Sequence, residues 1–150
     1  MKIPEVNSNE ELVRLACLIE ESGCEMYQAL AEKTPEKSHS ALFRSLAEEE
    51  KKHKEMFLAL KKDGESDEAL SDVSPEDGPD LFDAGRLLTE ISHIESAEDL
   101  LNFAIRRELD TILFYKRMAH TGFGDPSLIE SLIKMEETHF YRLHEVKEQL

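Results

Sequence analysis

The sequence predicts an all-α protein, a four-helix bundle made of two antiparallel hairpins joined by a long crossover. Three observations carry that expectation. Apolar residues recur at helical spacing in four separate stretches, cap and proline signals open those stretches, and no segment shows the alternation of a strand.

Helix one is predicted over about 8–33. Ser8 with Glu11 three residues later forms a capping box, and Leu12, Leu15, Ile19, Met26 and Leu30 then keep one face apolar. Helix two is predicted over 35–62, with Thr34 as cap, Pro35 at the first helical position, and Leu42, Phe43, Leu46, Phe57 and Leu60 as its apolar stripe. So short a turn makes the two helices antiparallel neighbours. Residues 63–95 form the crossover: Gly64, Pro75, Gly78 and Pro79 break regularity, acids far outnumber the single base Arg86, and a short helix fits around Leu81 to Ile91. Helix three is predicted over 97–119, opened by Ser96 with Asp99 and carried by Leu101, Ala104, Ile105, Ile112, Tyr115 and Met118. Gly122-Phe123-Gly124 turns the chain. Asp125-Pro126 repeats the cap-and-proline signal, and helix four runs over 126–149 through Leu128, Leu132, Ile133, Phe140, Leu143 and Val146. A long link between helices two and three is the connection of ferritin-like bundles, whereas simple up-down bundles use short loops throughout.

A chain of 150 residues suits a single domain that buries a core without disulfides. Its net charge of −15 argues against a nucleic-acid partner, since phosphate binding needs a basic face, and favours cations as guests. No apolar run approaches the length that spans a bilayer, and the first residues lack a signal-peptide core, so no membrane association and a cytoplasmic location are expected. Cys17 and Cys24 stand seven apart in helix one, about 10 Å along its axis, too far to bridge. They flank Glu20, but small buried core thiols are the commoner case.

The chemistry lies in a repeated set. Glu20, Tyr27 and Glu50-x-x-His53 recur as Glu108, Tyr115 and Glu136-x-x-His139, one lone Glu and one Glu-x-x-His in each hairpin. Helix arithmetic brings them to one height. Glu20 lies about 20 Å from the end of helix one and Glu50 about 22 Å from the start of helix two; the corresponding spans for Glu108 and Glu136 are about 17 and 15 Å. Each of the four Glu also interrupts an apolar stripe, so all point into one core. Carboxylates gathered there are untenable unless cations neutralise them. Two further Glu-x-x-His pairs fail the same test: Glu36/His39 lies about 21 Å along helix two from Glu50, and Glu90/His93 lies in the crossover.

At Glu20-Glu21-Ser22-Gly23-Cys24-Glu25-Met26-Tyr27, Leu46 to His53, Glu108 to Tyr115 and Glu136 to His139, the chain resembles the rubrerythrin-like branch of the ferritin-like superfamily. The resemblance implies a non-haem di-iron site with two iron ions per chain. Glu50 and Glu136 would bridge them, Glu20 and Glu108 would be terminal carboxylates, and His53 and His139 would cap one ion each. Tyr27 and Tyr115 would bond the carboxylates from behind. Oxygen donors with one imidazole per metal suit iron or manganese. Rubrerythrins proper also append a rubredoxin domain with paired Cys-x-x-Cys motifs, which this sequence lacks, and place a Glu where it has Thr111.

What the resemblance implies for function is an oxidoreductase of oxidative stress, using two Fe(II) to reduce peroxide or dioxygen with electrons from a separate donor protein, most naturally as a homodimer. Two alternatives stay open: a ferroxidase that handles iron, and a metal-stabilised bundle that binds a partner without catalysis.

Overall fold

The computed structural model describes residues 8–59, 83–122 and 126–150. Five helices occupy them: α1 Asn9–Lys33, α2 Lys37–Ala59, α3 Ala84–Ser92, α4 Ala97–Ala119 and α5 Pro126–Glu148, with no strand among the described residues. None of these helices is long and apolar enough to cross a membrane.

The expected caps form at α1 and α4. Ser8 Oγ accepts from the Glu11 amide at 3.1 Å, and Ser96 Oγ from the Asp99 amide at 3.0 Å, each satisfying one of the orphaned donors of a helix start. Helix two begins two residues later than the Thr34-Pro35 signal suggests. Thr34 instead closes α1, its amide bonding Leu30 O at 3.0 Å, and the first bond of α2 runs from the Ser40 amide to Glu36 O at 2.9 Å. Thr34 Oγ1 also accepts from the Glu36 amide at 3.4 Å, so the threonine lies in the turn between the helices and regular α-helix starts at Lys37. The expected end of this helix at 62, and the Asp125 cap of α5, fall outside the described residues. Gly122 supplies the left-handed turn after α4, with φ of +81°.

The short helix expected in the crossover is α3, capped by Asp83 Oδ1 accepting from the Arg86 amide at 3.1 Å. It is no solvated spacer. Leu87 and Ile91 are buried against the C-terminal half of α1, and Lys33 Nζ donates to Ile91 O and Ser92 O at 2.7 Å, tying down the carbonyls that end α3.

α1 pairs chiefly with α2 and α4 with α5, forming the two hairpins. The apolar core divides into two clusters. One contains Leu12, Leu15, Ile19, Phe57, Phe114, Met118 and Leu132; the other contains Met26, Leu30, Phe43, Leu46, Leu87, Leu100, Leu101 and Leu143. On each of the four long helices the ligand candidates sit between residues of the first cluster and residues of the second, so a polar belt crosses the bundle with apolar packing on both sides.

Candidate metal centre

All six sequence-predicted ligands converge on that belt. Glu20, Glu50, Glu108 and Glu136 are wholly buried, and His53 and His139 nearly so. Their donor atoms form two overlapping groups. Glu20, Glu50, His53 and Glu136 have ligand atoms within 4.8 Å of one another, and so have Glu50, Glu108, Glu136 and His139. Glu50 and Glu136 belong to both.

Each imidazole faces carboxylates of the other helices. His53 Nδ1 lies 3.3 Å from Glu20 Oε2 and 3.2 Å from Glu136 Oε1; His139 Nδ1 lies 3.2 Å from Glu50 Oε1 and 3.7 Å from Glu108 Oε1. The two rings stack with centroids 5.6 Å apart. Both tyrosines reach the belt, and they do so crosswise. Tyr27 of α1 donates its hydroxyl to Glu108 Oε1 of α4, while Tyr115 of α4 donates to Glu20 Oε1 of α1 at 2.7 Å. Burial, with the neighbouring carboxylates, pushes both phenols well above their usual range, so they stay neutral donors.

The donor set fits cations. Among the described residues, Glu50 Oε1 and Oε2, Glu108 Oε2, Glu136 Oε2 and His139 Nδ1 are buried and make no hydrogen bond of good geometry, an arrangement that costs several kcal/mol unless something positive meets those atoms. In the metal-free chain protons take that part. Desolvation, then repulsion from Glu50 and Glu136, drives the Glu20 carboxyl well above its ordinary range; desolvation, then Glu108 and Glu50, does the same for Glu136. Burial opposes charge on His139, but the Glu108, Glu136 and Glu50 carboxylates around it outweigh that and push it up to about 12. Burial wins at His53, whose pKa is lowered.

Around the ligands three residues matter that helix spacing had not singled out. Arg107, next to Glu108, is buried with Nη1 3.8 Å from Glu50 Oε2. Burial opposes its charge, yet Glu50 and the other site carboxylates raise its pKa further, so it is a permanent cation. Its Nη2 donates to Ile19 O and, at 3.3 Å, to Ser22 Oγ. On the solvent side, Glu49 Oε2 accepts from Arg142 Nη1 at 2.7 Å and stands 3.6 Å from His139 Nε2. A surface cavity of about 310 Å³, lined by Glu49, Lys52, Met56, Met135 and Thr138, ends on the two histidines.

Thr111, where the resemblance would place another carboxylate, is buried and turns its hydroxyl back to Arg107 O at 3.0 Å. Cys17 and Cys24 are free thiols; Cys17 is buried in the core with its pKa pushed up to about 11, whereas Cys24 is only partly buried, its pKa raised chiefly by desolvation. The two discounted pairs stay outside both clusters. His39 is nevertheless buried while Glu36 is exposed, so that pair does not share a face.

Two hairpins, a long crossover and a buried, doubled Glu and Glu-x-x-His set define a ferritin-like carboxylate bundle. The rubrerythrin family model matches residues 11–147, and the chain belongs to that family. Comparison with curated proteins and with solved structures gives no match.

Proposed function

We propose that the belt holds two iron ions and that the protein is an oxidoreductase acting on peroxide or dioxygen. The observation that carries this reading is the sharing of Glu50 and Glu136 between two otherwise distinct ligand groups. A carboxylate common to both groups keeps two ions adjacent; separate mononuclear sites would share nothing.

Bound Fe(II) supplies one electron per ion, so the pair supplies the two electrons that reduce hydrogen peroxide, with two protons, to water. The chain's own residues do the rest. Glu50 and Glu136 would serve both ions, with Glu20 and His53 holding one and Glu108 and His139 the other. Tyr115 and Tyr27 each occupy one oxygen of Glu20 and Glu108, which fixes the carboxylate and leaves its other oxygen for a metal. Glu49, backed by Arg142, orients the His139 ring from its Nε2 side. The cavity between α2 and α5 admits a small oxidant as far as the imidazoles, and Met56 and Met135 keep its walls apolar. A separate donor protein returns the electrons.

Anaerobic loading with Fe(II), then a pulse of peroxide, tests the reading. The expected result is two Fe(II) per chain, prompt ferric absorption, and turnover only when reductant is added. Uptake of iron far beyond two ions per chain would replace this reading with iron handling. Iron that binds but stays ferrous after the pulse would leave a metal-stabilised, non-catalytic bundle.

A further inference from the structure

Arg107 is a permanent cation placed where cations are to be bound. Its guanidinium lies 3.8 Å from Glu50, one of the two carboxylates common to both groups, and its Nε and Nη1 make no hydrogen bond among the described residues. Charge, rather than hydrogen-bond geometry, therefore ties it to Glu50. The seat is built from α1. Ile19 O and Ser22 Oγ receive Nη2, and Gly23 leaves the space: a Cβ there would stand 2.7 Å from Nη2 and 2.9 Å from Cζ and Nη1. Any side chain at residue 23 displaces the guanidinium.

We infer that Arg107 is a built-in counter-cation of the centre, holding Glu50 in place when the site is empty and weakening the grip of the site on divalent ions when it fills. This rests on the reading of the belt as a metal centre. Removing the positive charge then has opposite effects on the two states. The empty site loses the guanidinium that faces Glu50 at 3.8 Å, so the metal-free fold weakens. The filled site loses a repulsion between like charges at close range in a poorly screened interior, so binding tightens. A residue that merely packs would weaken both states together. Arg107 is in this sense a positioning residue: it acts on the metals through Glu50 and through the field of the site.

The test uses Co(II), which cannot be oxidised by the handling involved and reports its ligands by absorption. Wild type, Arg107→Met and Arg107→Lys are titrated with Co(II) at fixed pH and salt, and the thermal midpoint of each is measured with and without the metal. Expected for Arg107→Met is a lower metal-free midpoint together with a Kd reduced on the order of tenfold or more. Arg107→Lys, which keeps the charge, stays near wild type in Kd. Three results overturn the inference: unchanged or weaker binding by Arg107→Met, a lysine variant that behaves like the methionine one, or a methionine variant that fails to fold even with Co(II). Wild type that takes up no Co(II) overturns the metal centre itself, and this inference with it.

Discussion

The two hairpins supply the same candidate ligands but differ in the residues beside them. In the first, Glu20 is preceded by Ile19 and followed three residues later by Gly23; in the second, Glu108 is preceded by Arg107 and followed by Thr111. One hairpin offers an empty place and a carbonyl, the other a guanidinium to fill it. The histidines differ likewise. His139 has Glu49 3.6 Å behind its Nε2, whereas the residue of the second hairpin that corresponds to Glu49 is Met135, on the wall of the access cavity. A repeat thus fixes what must be doubled, the ligands and their tyrosines, and leaves free what makes the two halves of the site unlike.

The largest effect separates shared from unshared ligands. Glu50→Ala or Glu136→Ala should remove both metal ions from the chain, while Glu20→Ala or Glu108→Ala should remove one, as read by elemental analysis after dialysis. Equal losses in all four variants would mean that the groups do not share carboxylates.

Next is pH, which separates the hairpins through their histidines. Glu20, Glu136 and His139 all have folded pKa values raised above the unfolded ones. Each contributes stability that is fully present below its unfolded pKa and lost as pH rises toward its folded one. His53 and Glu50 are shifted the other way, and they act below about 6.5 and 4.5, their ordinary values. Between pH 7 and 9 only losses remain. The metal-free protein should lose stability by about 1 kcal/mol or more per pH unit in that window, seen in urea unfolding. Metal uptake displaces the same protons, so the stabilisation given by a divalent ion should grow over the same range. A flat metal-free profile from pH 7 to 9 would count against a belt held by protons.

Smaller effects probe the unlike neighbours. Gly23→Ala gains about 1 kcal/mol of helix propensity, yet it drives the guanidinium from its seat, and the net expectation is a loss of about 1–3 kcal/mol. Thr111→Ala, at the corresponding place on α4, should change stability by less than about 1 kcal/mol, because its hydroxyl serves only the Arg107 carbonyl of its own helix. Comparable losses at the two places would erase the proposed asymmetry. Modest, and equal between halves, are Tyr27→Phe and Tyr115→Phe. Each leaves one buried carboxylate oxygen without its donor, at a cost of about 1–2 kcal/mol by denaturant unfolding.

Helix arithmetic made the convergence of the six candidate ligands and both tyrosines legible in the sequence, because residues seven apart must share a face and equal distances from a tight turn must meet. Which partner each tyrosine takes was not legible: spacing puts Tyr27 beneath Glu20, yet it bonds Glu108 on the facing helix. Arg107 was hidden by its setting, since in Arg106-Arg107 a basic pair reads as surface. Aligning the hairpins reveals it, for Arg107 stands where the first hairpin has Ile19, a core position, and Gly23 marks the missing volume opposite. The start of α2 was misplaced by a local ambiguity. A Thr-Pro between two helices can end the first as well as begin the second, and only the bond from Thr34 to Leu30 decides.

The central claim is that the doubled set forms one centre of two ions. Anomalous diffraction at the iron edge, on crystals of the protein loaded anaerobically with Fe(II), tests it most directly. The expected result is two adjacent peaks within the belt, one beside Glu20 and His53 and one beside Glu108 and His139, with Glu50 and Glu136 between them. A single peak, or iron bound anywhere but among these six residues, would contradict it.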